Sequence, residues 1–348
     1  MLKTILGEGD TPLVASTRIA KRIGVSRLFF KLESLNPSGS YKDRFTAAEV
    51  SRLLEAELPG CIATSSGNTG SSLATYCARY GLACAIVVNP DAPAGKLQQM
   101  RAMGAHILQV PGFLHSSATT SRTFQILDRL ASVRHIPFIV SAYRYCPAGM
   151  EHVQCIANEL RAQCEDCIDH IFVPVGGGGL FTAVCRGLET PTDSHRTRVH
   201  AVQPEGCATV AASFERGDDE IVEVRSTTSI SGLAVPFDID ARLALTHLRQ
   251  SGGRAYALPD CEILDAQKML LELEGIYCEP AGAAALAGLL RAFEEGSVEA
   301  HETVVCLVTG HGFKDPESII SHAAQNPAVL TPVDELEDQV LRRITSCV

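Results

Sequence analysis

The chain has 348 residues, of which 46% are hydrophobic, and a formal net charge of −10. That apolar share suffices for a core in one or two domains, while the acidic balance without any basic block excludes nucleic acid as the main partner, because phosphate neutralisation needs clustered Lys and Arg. No apolar run approaches bilayer-spanning length, and the opening MLKTILGEGDTPL holds too short an apolar run for a signal peptide, so a cytoplasmic protein with no membrane partner is expected.

Taken in order, the chain alternates short β-rich runs with helical patterns. The apolar stretch RLFFKLE leads to NPSGSYKDR (36–44). A helix follows, with Ala47, Val50, Leu54 and Leu58 on one stripe, ended by Pro59-Gly60. CIATS (61–65) passes through a glycine-bearing loop to a helix around 71–80. ACAIVV (83–88) precedes a helix near 94–103, HILQV (106–110) a long one near 116–134, and PFIVS (137–141) one near 149–164. HIFVPV (170–175), RVHAVQ (198–203) and TVVCLVT (303–309) are further strands. Residues 265–296 divide at YCEPAG into two helices, and the tail VDELEDQVLRRITSCV is a mixed-charge packing or dimer helix. Strands separated by helix-length segments imply crossovers and mainly parallel sheets. Their weak alternation suits strands buried on both faces.

The chain has 13 cysteines, an odd number that argues against a disulfide framework. Cys61, Cys84, Cys185 and Cys306 sit in apolar runs and read as small buried hydrophobes. Cys164 and Cys167 in CEDC have metal-ligand spacing, but without a second pair or suitably spaced His no metal site is expected.

Three further segments carry chemistry. SSGNTGSS (65–72) joins a strand to a helix and exposes backbone N–H groups at the helix start. It reads equally as an anion site or as an ordinary capped turn. VPVGGGGLFTAV (173–184) places four consecutive glycines between an apolar strand and a helix. Each unneeded glycine costs roughly 0.5–1 kcal/mol against Ala inside regular structure, so the run points to a backbone closely approached by a phosphate. VTGHGFKDP (308–316) ends a buried strand with Thr309, whose hydroxyl suits a ring nitrogen. Lys42 lies in the first turn of its helix, beside the mouth where ligands of parallel sheets bind. A lysine, an anion loop, a phosphate loop and a hydroxyl together match pyridoxal 5'-phosphate, which combines carbonyl, phosphate and pyridine nitrogen.

GEGDTPL, NPSGSYKDR, SSGNTG, KLQQMRAMGA, PVGGGGL, EPAGAAALAGL and TGHGFKDP occur here in the order that resembles fold-type II pyridoxal phosphate-dependent enzymes, over about residues 7 to 320. This is the tryptophan synthase β-like family of threonine synthase, cysteine synthase and the serine/threonine dehydratases. GEGDTPL and TGHGFKDP look most like threonine synthase, and the glycine loop and EPAGAAAL more like the dehydratases. The resemblance implies an α/β fold of two three-layer parallel-sheet domains with the cofactor in the cleft between them. The smaller, substrate-closing domain would span 40–148 and the larger, cofactor-binding domain 1–39 plus 149–348. It implies a homodimer. It also implies no feedback through a long regulatory domain after residue 320.

By the same resemblance Lys42 is the Schiff-base lysine and moves the Cα proton. Asn68 contacts the cofactor's phenolic oxygen, Gly176, Gly177, Gly178 and Gly179 hold its phosphate, and Thr309 faces its ring nitrogen. Ser65, Ser66, Gly67 and Thr69 take the substrate carboxylate. A neutral partner at the ring nitrogen favours elimination from an activated substrate. The family's NPxRxEGQKT-like stretch corresponds to SAYRYCPAGMEHVQC (141–155), where Arg144 survives as a ligand for a substrate phosphate. The expected substrate is a small activated or hydroxylated L-amino acid. O-phosphohomoserine, giving threonine and phosphate, leads; O-phosphoserine, O-acetylserine, serine and threonine are alternatives. Two other classes fit the chain less well. A binding protein with lost chemistry conflicts with the intact Lys42, Asn68, glycine run and Thr309. A nicotinamide enzyme needs an acidic residue about 20 residues past its glycines, whereas Glu189 lies ten past Gly179.

Overall fold

The computed structural model describes residues 6–92, 94–113, 116–189 and 197–345. Its strands, numbered in chain order, are β1 (Leu13–Ala15), β2 (Arg27–Lys31), β3 (Gly60–Ala63), β4 (Ala83–Val88), β5 (His106–Gln109), β6 (Phe138–Ile139), β7 (His170–Pro174), β8 (Arg198–Pro204), β9 (Ala255–Leu258) and β10 (Thr303–Leu307). They form a six-stranded sheet ordered β1-β2-β10-β7-β8-β9 and a four-stranded sheet ordered β5-β4-β3-β6. All pairings are parallel except β1 with β2 at the edge of the larger sheet. The fold is therefore α/β with two parallel sheets. The smaller is drawn from residues 60–139 and the larger from the segments on either side.

β7 and β10 are buried along their whole length, as their continuous apolar sequence requires. Successive residues serve opposite faces. Ile171, Val173, Val305 and Leu307 join one core that runs on through Phe45 and Met150 to the smaller sheet, while Phe172, Val304 and Cys306 face the other core with the helix Pro280–Glu294. Cys61, Cys84, Cys185 and Cys306 are buried within these cores, as expected.

Element ends depart from the sequence reading in instructive ways. The Lys42 helix stops at Glu55, before Pro59-Gly60, because Glu57 already adopts φ +52°. The helix expected near 71–80 starts at Asn68, so Asn68 and Thr69 lie in its first turn. The segment near 149–164 is two helices, Pro147–Val153 and Cys155–Gln163. β9 adds a strand that the sequence reading lacked, its AYAL alternating half-buried and buried.

A buried ionic junction holds the N-terminal strands to the Lys42 helix. The Arg44 guanidinium, 1% exposed, donates to both oxygens of Glu33, itself 0% exposed, at 2.7 Å each. It also reaches Glu159 at 2.5 and 2.7 Å. Lys31 Nζ closes the set on Glu159 at 2.6 Å and on the Thr11 carbonyl at 2.7 Å. Arg44→Ala strands a buried carboxylate, so the expected loss of unfolding free energy is about 3–5 kcal/mol. Denaturant titration checks it, and a loss near zero would show the junction to be dispensable.

A second polar chain lies at the opposite ends of the strands. The Arg254 N–H donates to His200 Nδ1 at 3.1 Å. Neutral His200 therefore carries its hydrogen on Nε2 and donates to His170 Nδ1 at 2.7 Å, leaving His170 Nε2–H for Glu302 at 2.9 Å. Burial, then His170, Arg198 and Arg254, push His200 down to about 3. The unfolded histidine titrates near about 6.5, so between these values the unfolded chain binds more protons. Stability should fall as pH drops from about 6.5 toward 3. Burial opposes the ionised forms of Glu159 and Glu302, yet their cationic and hydrogen-bonding partners hold both at about 2, so their contribution is intact above about pH 4.5 and is lost as pH falls from there toward 2. Urea midpoints at pH 7.5 and 5 test this. His200→Gln should flatten the dependence, and an unchanged slope would refute the assignment.

Candidate active site

The loop before Lys42 is clamped by backbone bonds to the segment after β10. Tyr41 N–H donates to the Thr309 carbonyl at 3.1 Å, and His311 N–H to that of Gly39 at 2.9 Å. Gly39 has φ +89°, and a Cβ there would lie 2.6 Å from the Phe313 ring, so only glycine fits this crossing. Lys42 then begins its helix. Its two neighbours are committed to the fold. Arg44 fills the ionic junction, and buried Asp43 accepts from Ser38 N–H, Ser38 Oγ and Ser72 Oγ at 2.6, 2.5 and 2.5 Å. Burial raises Asp43 above the usual carboxylate range despite those bonds.

Lys42 Nζ donates to Ser141 Oγ at 2.5 Å, and that hydroxyl also bonds Thr69 Oγ1 at 2.9 Å. The lysine is thereby coupled to the 65–69 loop. Within that loop Gly67 N–H donates to Ser65 Oγ at 3.2 Å. The Asn68 helix starts here, where its first N–H groups have no partner inside the helix. Asn68 Nδ2 donates to Glu279 Oε1 at 2.5 Å, while its Oδ1 is buried with no hydrogen-bond partner among the described residues.

The glycine run follows β7. Gly178 has φ +98°, and a Cβ on it would lie 2.5 Å from the Asp240 carbonyl. Gly179 opens the helix Gly179–Leu188, and its missing Cβ would sit 3.6 Å from the Ser141 carbonyl. Gly176 and Gly177 lie against Gly232, Leu233 and Val235. The buried Asp240 carboxylate accepts from Tyr143 and Arg144 N–H at 2.7 and 3.2 Å, tying the 141–144 segment to the run. Burial raises Asp240, with Lys42 pulling the other way.

Thr309 is buried two residues past β10, and a Cβ on Gly310 would meet Glu279 Oε1 at 2.1 Å. Lys42, Thr69, Asn68, the glycine run and Thr309 are thus linked through Ser141 and Glu279. Ser65, Ser66 and Gly67 lie at the mouth of the same strand-to-helix turn. The Arg144 side chain makes no hydrogen bond to this cluster, and it shares a cavity with Ile239 and Asp240, which border the glycine run. It is exposed, stacks 5.9 Å from the Tyr145 ring, and lines an open cavity of about 550 Å³ with Arg186, Asp238 and Arg242.

Sequence reasoning missed Ser141, Glu279, Asp240, Lys96 and Lys314. Ser141, at the end of PFIVS, was legible as a hydroxyl just past a strand. Lys96, 2% exposed, pairs with Glu279 at 3.1 Å and donates to Ser231 Oγ at 3.1 Å. Lys314, also 2% exposed, donates to Gln99 Oε1 at 2.9 Å. Burial drives Lys314 down to about 8 against the pull of Glu279 and Asp43. Nothing in their spacing announces that these two lysines are buried.

Residues 4–310 match the model of a family described as pyridoxal-phosphate dependent enzymes. The chain is 34% identical to a threonine synthase of Methanocaldococcus jannaschii, over 97% of this chain and 82% of that protein. It is 32% identical to a threonine synthase of Methanosarcina acetivorans, over 96% and 82%. Among solved structures, serine racemase from Dictyostelium discoideum superposes with a TM-score of 0.71 at 25% identity, covering 87% of this chain and 92% of that one. A threonine deaminase from Solanum lycopersicum shares the fold with a TM-score of 0.74 at 23% identity, covering 91% and 84%.

Proposed function

The chain belongs to the pyridoxal-phosphate dependent enzymes, and from that premise we propose a threonine synthase-like reaction in which O-phosphohomoserine and water give threonine and phosphate. The residues present fit the cofactor. The glycine run leaves a side-chain-free cradle at a helix start. Asn68 keeps a buried orphan oxygen, and a buried Thr309 stands across from the Lys42 loop. Lys42 would hold the carbonyl carbon, Gly176 to Gly179 the phosphate, Asn68 the ring oxygen and Thr309 the ring nitrogen. When bound, the cofactor supplies an electron sink for a carbanion at the substrate Cα.

Lys42 Nζ takes the proton from Cα, and Ser141 Oγ, 2.5 Å away, fixes where that nitrogen points. Ser65, Ser66, Gly67 and Thr69, with the open N–H groups of the helix start, hold the substrate carboxylate. Thr69 shares Ser141 with Lys42, so carboxylate binding and proton transfer are set from one hydroxyl. Residues 40–148 would close over the substrate against 1–39 plus 149–348 and exclude water, and a homodimer belongs to the same proposal.

The observation that carries the phosphorylated substrate is Lys314. Its ammonium is buried beside Lys96 and, among the described residues, has no carboxylate within ion-pair distance, since Glu279 is taken by Lys96. Buried unpaired charge is costly, and an anionic leaving group would relieve it. We assign the substrate phosphate to this lysine pair, in the place first expected of Arg144. Serine, threonine or O-acetylserine would leave it unmatched.

Two measurements test the reading. Lys42→Ala should abolish the absorbance band of lysine-bound cofactor near the visible edge, and a purified variant retaining that band would sink the lysine assignment. The parent enzyme should release phosphate and form threonine from O-phosphohomoserine. Lys314→Met should raise KM for that substrate by roughly ten- to a hundredfold, the worth of a charge-assisted hydrogen bond. Turnover of serine or threonine to keto acid, with no phosphate release from either phosphorylated amino acid, would overturn it.

A further inference from the structure

Three cysteines away from the cleft converge inside the smaller sheet. Cys61 on β3 and Cys84 on β4 are direct partners in the parallel register, so their side chains leave the same face. The helix Asn68–Tyr80 that links these strands crosses that face and presents Cys77 to both. The three Sγ atoms lie within 4.8 Å of one another, with Cys61 and Cys77 at 3.9 Å. Exposure is 3%, 1% and 3%. A lone buried cysteine behaves as a small hydrophobe, but three sulfurs in mutual contact form a trigonal donor set of soft character.

The surroundings decide what such a set takes. The three thiols are buried in the same hydrophobic core as Leu73, Ile86 and Val50, so any ion left with net charge there costs several kcal/mol. A divalent zinc ion on three thiolates leaves one negative charge and, among the described residues, finds no fourth ligand in the cluster. A monovalent copper ion leaves two. A trivalent centre leaves none. We propose that Cys61, Cys77 and Cys84 form a binding site for trivalent arsenic, taken up as uncharged arsenous acid. Three As–O bonds are exchanged for three As–S bonds, each thiol proton leaves with a hydroxide as water, and no atom changes oxidation state.

The test uses the reduced, purified enzyme incubated with arsenite. Mass spectrometry under native conditions should show a gain of one arsenic atom less three protons, and X-ray absorption should show three sulfur ligands. Cys167→Ser/Cys261→Ser, which removes two exposed thiols, should keep the adduct, whereas Cys77→Ala, with folding checked by circular dichroism, should lose the three-proton signature. Absence of an adduct in the parent, a two-sulfur arsenic spectrum, or a three-proton adduct in Cys77→Ala would each overturn the proposal, and the absorption measurement stands even if Cys77→Ala misfolds.

Discussion

The Arg44 guanidinium, sealed between Glu33 and Glu159, determines where the Lys42 helix begins and which way its first residue points. A helix start can slide by a residue when only apolar contacts hold it, because a stripe tolerates small shifts. A bidentate guanidinium–carboxylate pair does not tolerate them, since its geometry is planar and fixed. Asp43 adds three short bonds one residue earlier. Lys42 is therefore presented by two buried, saturated neighbours and spends none of its own bonding on holding the backbone. This is the sense in which buried charge can serve specificity more than stability.

Around that fixed lysine the site is assembled from strand ends. β3 leads to the 65–69 loop, β6 to Ser141, β7 to the glycine run and β10 to Thr309. All four are parallel strands, two in each sheet. In such sheets the carboxyl ends gather helix N-termini, and with them unpaired N–H groups and partial positive charge. The histidine chain, with His170, Arg198 and Thr303 at the opposite strand ends, has satisfied bonds and faces no cleft. Among the described residues the histidine chain is saturated, while the opposite strand ends carry helix starts with open donors, and the proposed site draws on that asymmetry.

Much of this was legible in the sequence because it is local. A β-rich run followed by four glycines and an apolar helix specifies a strand, a side-chain-free turn and a helix start without any tertiary knowledge. The Lys42 stripe placed its residue in the first turn. What stayed hidden depends on contacts distant in sequence. Glu279 gains meaning from Asn68, 211 residues away, and Lys314 from Gln99, 215 residues away. In sequence both lysines resemble solvated loop or helix lysines. β9 escaped because four residues of weak alternation carry little signal, and the early helix start at Asn68 escaped because its first turn is polar and has no stripe to read.

In the proposed reading the site would meet phosphate by two different devices, and the difference follows from what each phosphate must do. A resident cofactor phosphate needs a site that holds it without moving side chains, and backbone N–H groups at Gly176 to Gly179 provide fixed dipoles at no rotamer cost. Asp240 beside that run spends its carboxylate oxygens on the Tyr143 and Arg144 N–H groups. A leaving phosphate gains charge as its bond to carbon breaks, and the point charges of lysine ammonium groups suit it better. Lys96 and Lys314 come from opposite sides of the cleft, one from the helix Ala94–Ala102 and one from the turn after β10. In the proposed reading an anion between them would draw these two segments together.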